Sequence, residues 1–455
     1  MHIQILTKTP TGPSTAAKPL DFFQCIFLAG LFLRFMVFPF LGPFNPDSQG
    51  HLEYILYLKH YWSLPPSNLG HETWQPPFYY IITAAVAEIT ENPKALQGVS
   101  LLTSIATLCL FYKLLATRLF ISTDEGRYIA MSFLAILPQF VMFSLYISND
   151  SMATLCGALS FFLAAQLLKV PSIKRFIALC SGLAIGLLTK GQFIVIAPIL
   201  FCWGCYLIWR TIAHRRIWTL VVAFGFLILI LGSAKYVLNA STYGNPFISN
   251  LNFNHVWIKQ QQGTYLGLYS LLDCNVFKLL RKPTLDESTK HSIPLMLYGT
   301  FWYQWIPESN FRGNSLPLTS WIGRYMDCLG ILPTAISVLG IFVFSRKLWC
   351  SNGECPFVEP SGLLKGAAVL TFVGNLLILL RTFFQTDVWS VLQARSLFPS
   401  ILGALVVCDQ GLSCFAFRIR ASRTITYWRL LFVVGAVSYF VSEIVLQLVS
   451  AIGGN

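Results

Sequence analysis

The side chains best able to do chemistry crowd one stretch, "GPFNPDSQGHLEYILYLKHYWSLPPSNLGHETWQPPFYY", Gly42 to Tyr80, where Asp47, His51, Glu53, His71, Glu72 and Gln75 lie between strongly apolar runs. A carboxylate at a membrane boundary is suited to general-base work, because partial loss of water raises its basicity. Asp47 opens "DSQGHLEYILYL", in which Leu52, Tyr54, Ile55, Leu56 and Leu58 lie close to helical spacing. It therefore stands at or near an N-cap, with His51 one turn on, and capping competes with proton abstraction as its role. His71, Glu72 and Gln75 precede the Pro76–Pro77 pair, which fixes a turn on its own. They read either as ordinary loop groups or as substrate contacts, and Tyr79 and Tyr80 read as interfacial anchors.

Further polar groups break other apolar runs. Asn149 and Asp150 join two of them and either cap a helix starting near Ser151 or contribute to a site. Lys190 and Arg395 end runs on the side where basic residues are disfavoured. An anionic partner such as a phosphate explains them, and so does snorkelling for Lys190 or pairing with Asp387 for Arg395. Arg34 and Lys235 lie inside apolar runs, where snorkelling or helix pairing competes with a buried functional role.

The elements that must position these groups are membrane helices. Of 455 residues, 55% are hydrophobic and 11% charged, which excludes an ordinary water-soluble globule. Continuous apolar blocks exclude a barrel of short alternating strands. Runs at 21–41, 95–115, 128–147, 151–168, 176–190, 192–209, 217–237, 326–345, 363–382, 396–409 and 425–449 give about eleven spans. The formal charge of +13 falls mainly in short loops, where it sets orientation, so nucleic acid is not a partner. The twelve cysteines sit mostly in apolar runs, and Cys350 and Cys355 lack zinc-ligand spacing.

With the basic loops in the cytoplasm, Pro76 to Ala87 does not cross and reads as an interfacial or re-entrant helix. The polar stretches then share the exterior side. Residues 1–20 form a cytoplasmic N-terminal segment and 21–455 one transmembrane domain, with exterior loops at 42–94 and 238–325. The loop at 238–325 carries Trp257, Trp302, Tyr303 and Trp305, which suit either sugar stacking or the lipid interface.

"PDSQGHLEYILYL", "QPPFYYIITA", "LYISND", "LLTKGQ", "LNASTYGNP", "GTFWYQW" and "LQARSLFPSI" occur in this order from about Pro46 to Leu402. The series resembles bacterial GT-C glycosyltransferase-like membrane proteins, relatives of protein O-mannosyltransferases and of the lipid A aminoarabinose transferase. The resemblance implies an all-α polytopic GT-C fold with exterior interfacial helices and a sugar donor on a polyprenyl phosphate. It implies transfer with inversion to a hydroxyl of a lipid, glycan or protein acceptor, in a bacterial inner membrane. Asp47 matches the leading acid and base, Asp150 the acid of the second exterior loop, and Lys190 and Arg395 the basic positions suited to the lipid-linked phosphate. Gln75 to Pro77 match the motif before the interfacial helix. His51, Glu53, His71, Glu72 and Asn149 stand beside these as substrate contacts.

Ser48 departs from the pattern, since relatives often pair two acids there, and a divalent metal is left open as a cofactor. A transporter or lipid flippase and a non-catalytic scaffold remain alternatives. Asn149 and Asn239 also open glycosylation sequons.

Overall fold

The structure is a computed structural model that describes residues 21–42, 47–211, 215–253, 259, 261–283, 289–303, 317–349, 359–418 and 422–453. The 1–20 segment, Trp257, Trp305, Cys350 and Cys355 lie outside the described residues. The chain is an all-helical, multi-pass membrane protein, without strands among the described residues.

Seven described helices are long and apolar enough to cross a bilayer, and an eighth crossing results if the pair bent by 57° at Ser233 is one span. About eleven spans were expected, and three of those runs are shorter or interrupted helices among the described residues. The run 128–147 is two helices, α5 (Asp124–Ile136) and α6 (Pro138–Phe143), because Pro138 has no N–H and Leu137 turns to an extended ψ of 120°. The 16-residue α1 (Phe22–Val37) and the 15-residue α8 (Ile173–Leu187) rise only about 22–24 Å, short of the ~30 Å hydrocarbon core.

Arg34 explains how that break is tolerated. Its Nη2 donates to Leu134 O and its Nη1 to Ala135 O, both at 2.9 Å, and its Nε donates to Ser104 Oγ at 2.7 Å. Leu134 O is the carbonyl that Pro138 cannot serve, so a buried guanidinium of α1 caps α5. Lys235 is likewise buried and approaches Pro65 O at 3.5 Å. Both cations therefore have backbone carbonyl partners within the helix bundle.

The 24-residue α4 (Pro93–Ala116) packs on α7 (Asn149–Lys169), and α7 packs on α8. Helices Pro317–Trp349, Pro360–Thr386 and Ile401–Arg418 join the bundle, with Phe193–Thr211, Arg215–Gly232 and Ser422–Gly453 packed around them. The motif "GTFWY" enters the core: Trp302 and Tyr303 are each 3% exposed, and Trp302 packs edge-on to Phe133 and Phe432. Neither is placed for sugar stacking or for the lipid interface.

Candidate active site

The first polar loop supplies two elements. In α2 (Ser48–Tyr61), Asp47 is the N-cap residue but makes no side-chain cap bond, so its carboxylate is spent elsewhere. His51 lies one turn on, buried, its Nδ1 paired with Tyr80 OH at 2.8 Å. The ten-residue α3 (Phe78–Ala87) is too short to cross and begins against the end of α8, where Phe78 N donates to Leu188 O at 2.8 Å. Tyr79 and Tyr80 are fully buried, and Tyr80 stacks on Tyr54 with centroids 3.9 Å apart. They are therefore framework, not interfacial anchors.

The second acid arrives through the proline break. After α6, the chain turns so that Ser148 caps α7, its Oγ accepting from Asp150 N at 3.1 Å and donating to Asp150 Oδ2 at 3.0 Å. Lys190 follows α8 and forms an ion pair with Asp150 Oδ1. Arg395 comes from the 3-10 helix Ala394–Ser400 that opens the last-but-one long helix, and its guanidinium stacks 4.7 Å over the Phe143 ring. Its Nη2 pairs with Asp47 Oδ2, and its Nη1 lies 3.5 Å from Asp150 Oδ2. One guanidinium thus joins both acids. Asp387, the other partner open for Arg395, instead accepts from Gly263, Thr264 and Tyr265 N–H groups.

An amide chain completes the wall. Asn149 Nδ2 donates to Gln75 Oε1 and Thr189 O, each at 3.2 Å, and Gln75 Nε2 donates to Glu72 Oε2 at 2.9 Å. His71 Nε2 lies 3.4 Å from Glu72 Oε1 and 3.9 Å from Asp47 Oδ1. One donor atom from each of Asp47, His71 and Glu72 falls within 4.8 Å of the others. Two carboxylates and an imidazole suit a divalent cation chemically.

Asp47, His51, His71, Glu72, Gln75, Asn149, Asp150, Lys190 and Arg395 are thereby brought together, from segments up to 348 residues apart. Glu53 is not. It is exposed on α2 and accepts from Gln49 at 3.2 Å. Ser48, where a second acid was expected, is buried and donates to Ile147 O at 3.0 Å. The sequon residues Asn149 and Asn239 are both buried, Asn239 against Ser67 Oγ at 2.7 Å, so neither is presented for glycosylation.

Electrostatics correct one expectation. Burial opposes ionisation of Asp47, but the Arg395 guanidinium outweighs it and holds the carboxyl below the usual carboxylate range. Its basicity is depressed, not raised, while Arg395 is in place. Burial, then the Asp47 charge, pushes Glu72 up to about 8, and burial pushes His51 down to about 3.

Sequence reasoning missed Ser148, Thr189, Tyr80 and Asn250. The last brings Nδ2 to 3.3 Å from His71 Nε2. The signal for Tyr80 was present, because "FYY" directly follows the diproline and a tyrosine there falls on the inward face of a short helix. No signal marked Asn250, which reaches the site across 179 residues.

Part of the chain is similar to known proteins. Residues 74–234 match the family described as dolichyl-phosphate-mannose-protein mannosyltransferase. No curated protein matches the chain. ArnT from Cupriavidus metallidurans in the apo state is 12% identical over 85% of this chain and 76% of that one, with a TM-score of 0.37. The Archaeoglobus fulgidus oligosaccharyltransferase, tethered with an acceptor peptide, is 13% identical over 93% of this chain and 55% of that one, with a TM-score of 0.46. This chain thus spans about half the length of that oligosaccharyltransferase, and no residue role is taken from either likeness. Over residues 74–234, which hold Gln75, Asn149, Asp150 and Lys190, the chain matches the dolichyl-phosphate-mannose-protein mannosyltransferase family, and its resemblance to GT-C glycosyltransferases is borne out there.

Proposed function

We propose that the chain is a membrane glycosyltransferase moving a sugar from a polyprenyl-phosphate-linked donor to an acceptor hydroxyl, with inversion, on the exterior face of a bacterial inner membrane. The observation that carries this is one cluster in which Arg395 and Lys190 are held by two acids, Asp47 and Asp150, at the helix ends. Lys190 and Arg395 are the cations that a donor phosphate can contact, and its negative charge beside Asp47 favours the protonated form of that carboxyl.

The donor phosphate takes over part of Lys190 and Arg395. Released from its guanidinium, Asp47 regains the basicity of a partly desolvated carboxylate. It accepts the proton of the acceptor hydroxyl as the oxygen bonds to the anomeric carbon. The bond from that carbon to the phosphate oxygen breaks, and the leaving phosphate keeps the electron pair. The two cations stabilise that charge, and a single displacement inverts the centre. Asp150 keeps Lys190 and Arg395 in position, and Glu72, Gln75 and Asn149 form the wall facing the substrate.

The fold domain over 21–455, the exterior placement of 42–94 and 238–325, and a lipid, glycan or protein acceptor belong to the same proposal. The test is transfer from polyprenyl-phosphate sugars to a membrane extract by purified protein and by Asp47→Asn. Transfer lost in the folded variant supports the reading, and equal transfer by both removes Asp47 as the base.

A further inference from the structure

The end of the bundle away from the candidate active site carries an excess of positive charge. α7 leaves the site at Asn149 and reaches Lys169 after 21 residues, a rise of about 30 Å that matches the thickness of a hydrocarbon core. α8 returns from Ile173 toward Lys190, α9 (Phe193–Thr211) leads away again, and α10 (Arg215–Gly232) returns. Both turns at the far end are basic: Lys169, Lys174 and Arg175 flank the first, and Arg210, Arg215 and Arg216 the second. Between Asp150 and Asp273 the chain has no acid at all. The two turns come together because α8 packs against both α9 and α10, with Phe176 seated where Gly204 and Gly225 leave room for its ring. Setting the orientation of a membrane protein calls for cations at one end but not for this arrangement of them. Lys174 and Arg175 stand in the first turn of α8, and Arg215 and Arg216 in the first turn of α10; these are the positive ends of both helix dipoles, and neither first turn holds an acid. Among the described residues, Lys169, Lys174, Arg210 and Arg216 are exposed and form no ion pair. The helix Pro360–Thr386 meets α9 at this end, where Pro360 O accepts from Trp203 Nε1 at 3.2 Å, but Glu359 arrives there with Lys365, so the excess is unchanged.

We propose that the far ends of α7, α8, α9 and α10 form a binding site for an anionic phospholipid of the adjoining leaflet, one whose headgroup carries two phosphates. Two groups of three cations, one at each turn, suit two phosphates on a single headgroup, and basic surfaces between spanning helices at a membrane boundary favour such lipids. Arg175 is already ordered for the task. Its Nη1 donates to Gln166 O at 2.7 Å and to Val170 O at 3.2 Å, which closes the last turn of α7, and its Nε and Nη2 make no hydrogen bond among the described residues. Trp209, 58% exposed beside Arg210, is a residue type that settles at headgroup level. From the basic turn, the exposed Ile217, Leu220 and Phe224 follow one another at helical spacing along α10 and give acyl chains a surface. A soluble anion would use the cations but not this apolar face, so the two features together commit the site to a lipid.

The site is tested without sugar donor or acceptor, so its failure is separate from failure of the transferase reading. Full-length protein in neutral detergent is titrated with cardiolipin and, separately, with phosphatidylcholine, and the lipid retained is counted by native mass spectrometry. Wild type retains cardiolipin in preference to phosphatidylcholine, and millimolar inorganic phosphate does not displace it. The double variant Lys174→Gln, Arg216→Gln binds cardiolipin about 25-fold more weakly, at about fivefold for each cation removed. Both side chains are exposed, so the variant keeps its fold. Arg346→Gln removes an exposed cation from the helix Pro317–Trp349 instead, and it keeps wild-type affinity. No preference for cardiolipin in wild type, wild-type affinity in the double variant, or an equal loss in Arg346→Gln overturns the site; displacement by inorganic phosphate overturns its assignment to a lipid.

Discussion

Gly157 on α7 lets the 3-10 helix that carries Arg395 approach the second acid. A Cβ at that position falls 2.0 Å from the carbonyl oxygen of Pro399 and 2.8 Å from its carbonyl carbon. A carbon-to-oxygen contact settles at about 3.3 Å, so Gly157→Ala forces the Ala394–Ser400 segment back by about 1.3 Å, and backbone cannot rotate out of the way. Arg395 lies four residues before Pro399 in that segment and already stands 3.5 Å from Asp150 Oδ2. A displacement of this size breaks that contact and turns the guanidinium away from Asp47. Misplacement by about 1 Å costs on the order of 100-fold in rate, while overpacking costs about 1–3 kcal/mol of stability. The assay is kcat/KM for sugar transfer beside thermal unfolding, with Gly182→Ala as control. At Gly182 the added Cβ meets only the end of the Leu163 side chain, at 2.9 Å, which can move. A folded Gly157→Ala protein with wild-type kcat/KM refutes the claim that this close packing aligns Arg395.

Further outcomes follow from the same geometry. Arg395→Lys replaces a fork that joins Asp47 and Asp150 by a point charge, and kcat/KM is expected to fall about 100-fold without loss of fold, measured by transfer kinetics. Ser48→Asp restores a paired acid in sequence but sets a carboxylate against Ile147 O, so unfolding measurements should show a loss of about 1–3 kcal/mol with no gain in transfer. His51, held down at about 3 by burial against an ordinary 6.5, binds a proton in the unfolded chain but not in the folded one across that interval. Its contribution to stability is thus complete above pH 6.5 and is lost as pH falls toward 3. His51→Gln should flatten the acid limb of a thermal-unfolding profile, and an unchanged limb contradicts the assignment.

Much of this was legible in the sequence because the strongest signals are local. The apolar runs announced helices, and Pro76–Pro77 announced that the next segment would not cross. Asp47, Asp150, Lys190 and Arg395 stood out because charge at the edge of an apolar run is costly and needs a reason. Their partners were not legible. Pairing of Arg395 with Asp47 and Asp150, not with the nearby Asp387, depends on backbone N–H groups of 263–265 occupying Asp387. That contact spans more than 120 residues and leaves no mark in a local pattern. Not every expected span corresponds to one long described helix, for the opposite reason. Hydropathy continues unbroken through Leu137–Pro138, whereas the helix does not, and Arg34 from α1 stabilises the break. Tyr80 was read as an interfacial anchor and Trp302 as suited to sugar stacking or the lipid interface, but ring contacts with Tyr54 and Phe133 take them inside.

The central claim is that Asp47 accepts a proton during transfer from a polyprenyl-phosphate sugar. Its most direct measurement uses a panel of radiolabelled polyprenyl-phosphate sugars, a membrane extract as acceptor source, and purified wild type beside folded Asp47→Asn. Transfer of at least one sugar by wild type, with a loss of about 100-fold or more in the variant, is the expected result. Equal transfer by both proteins contradicts the role of Asp47, and transfer by neither contradicts the glycosyltransferase reading.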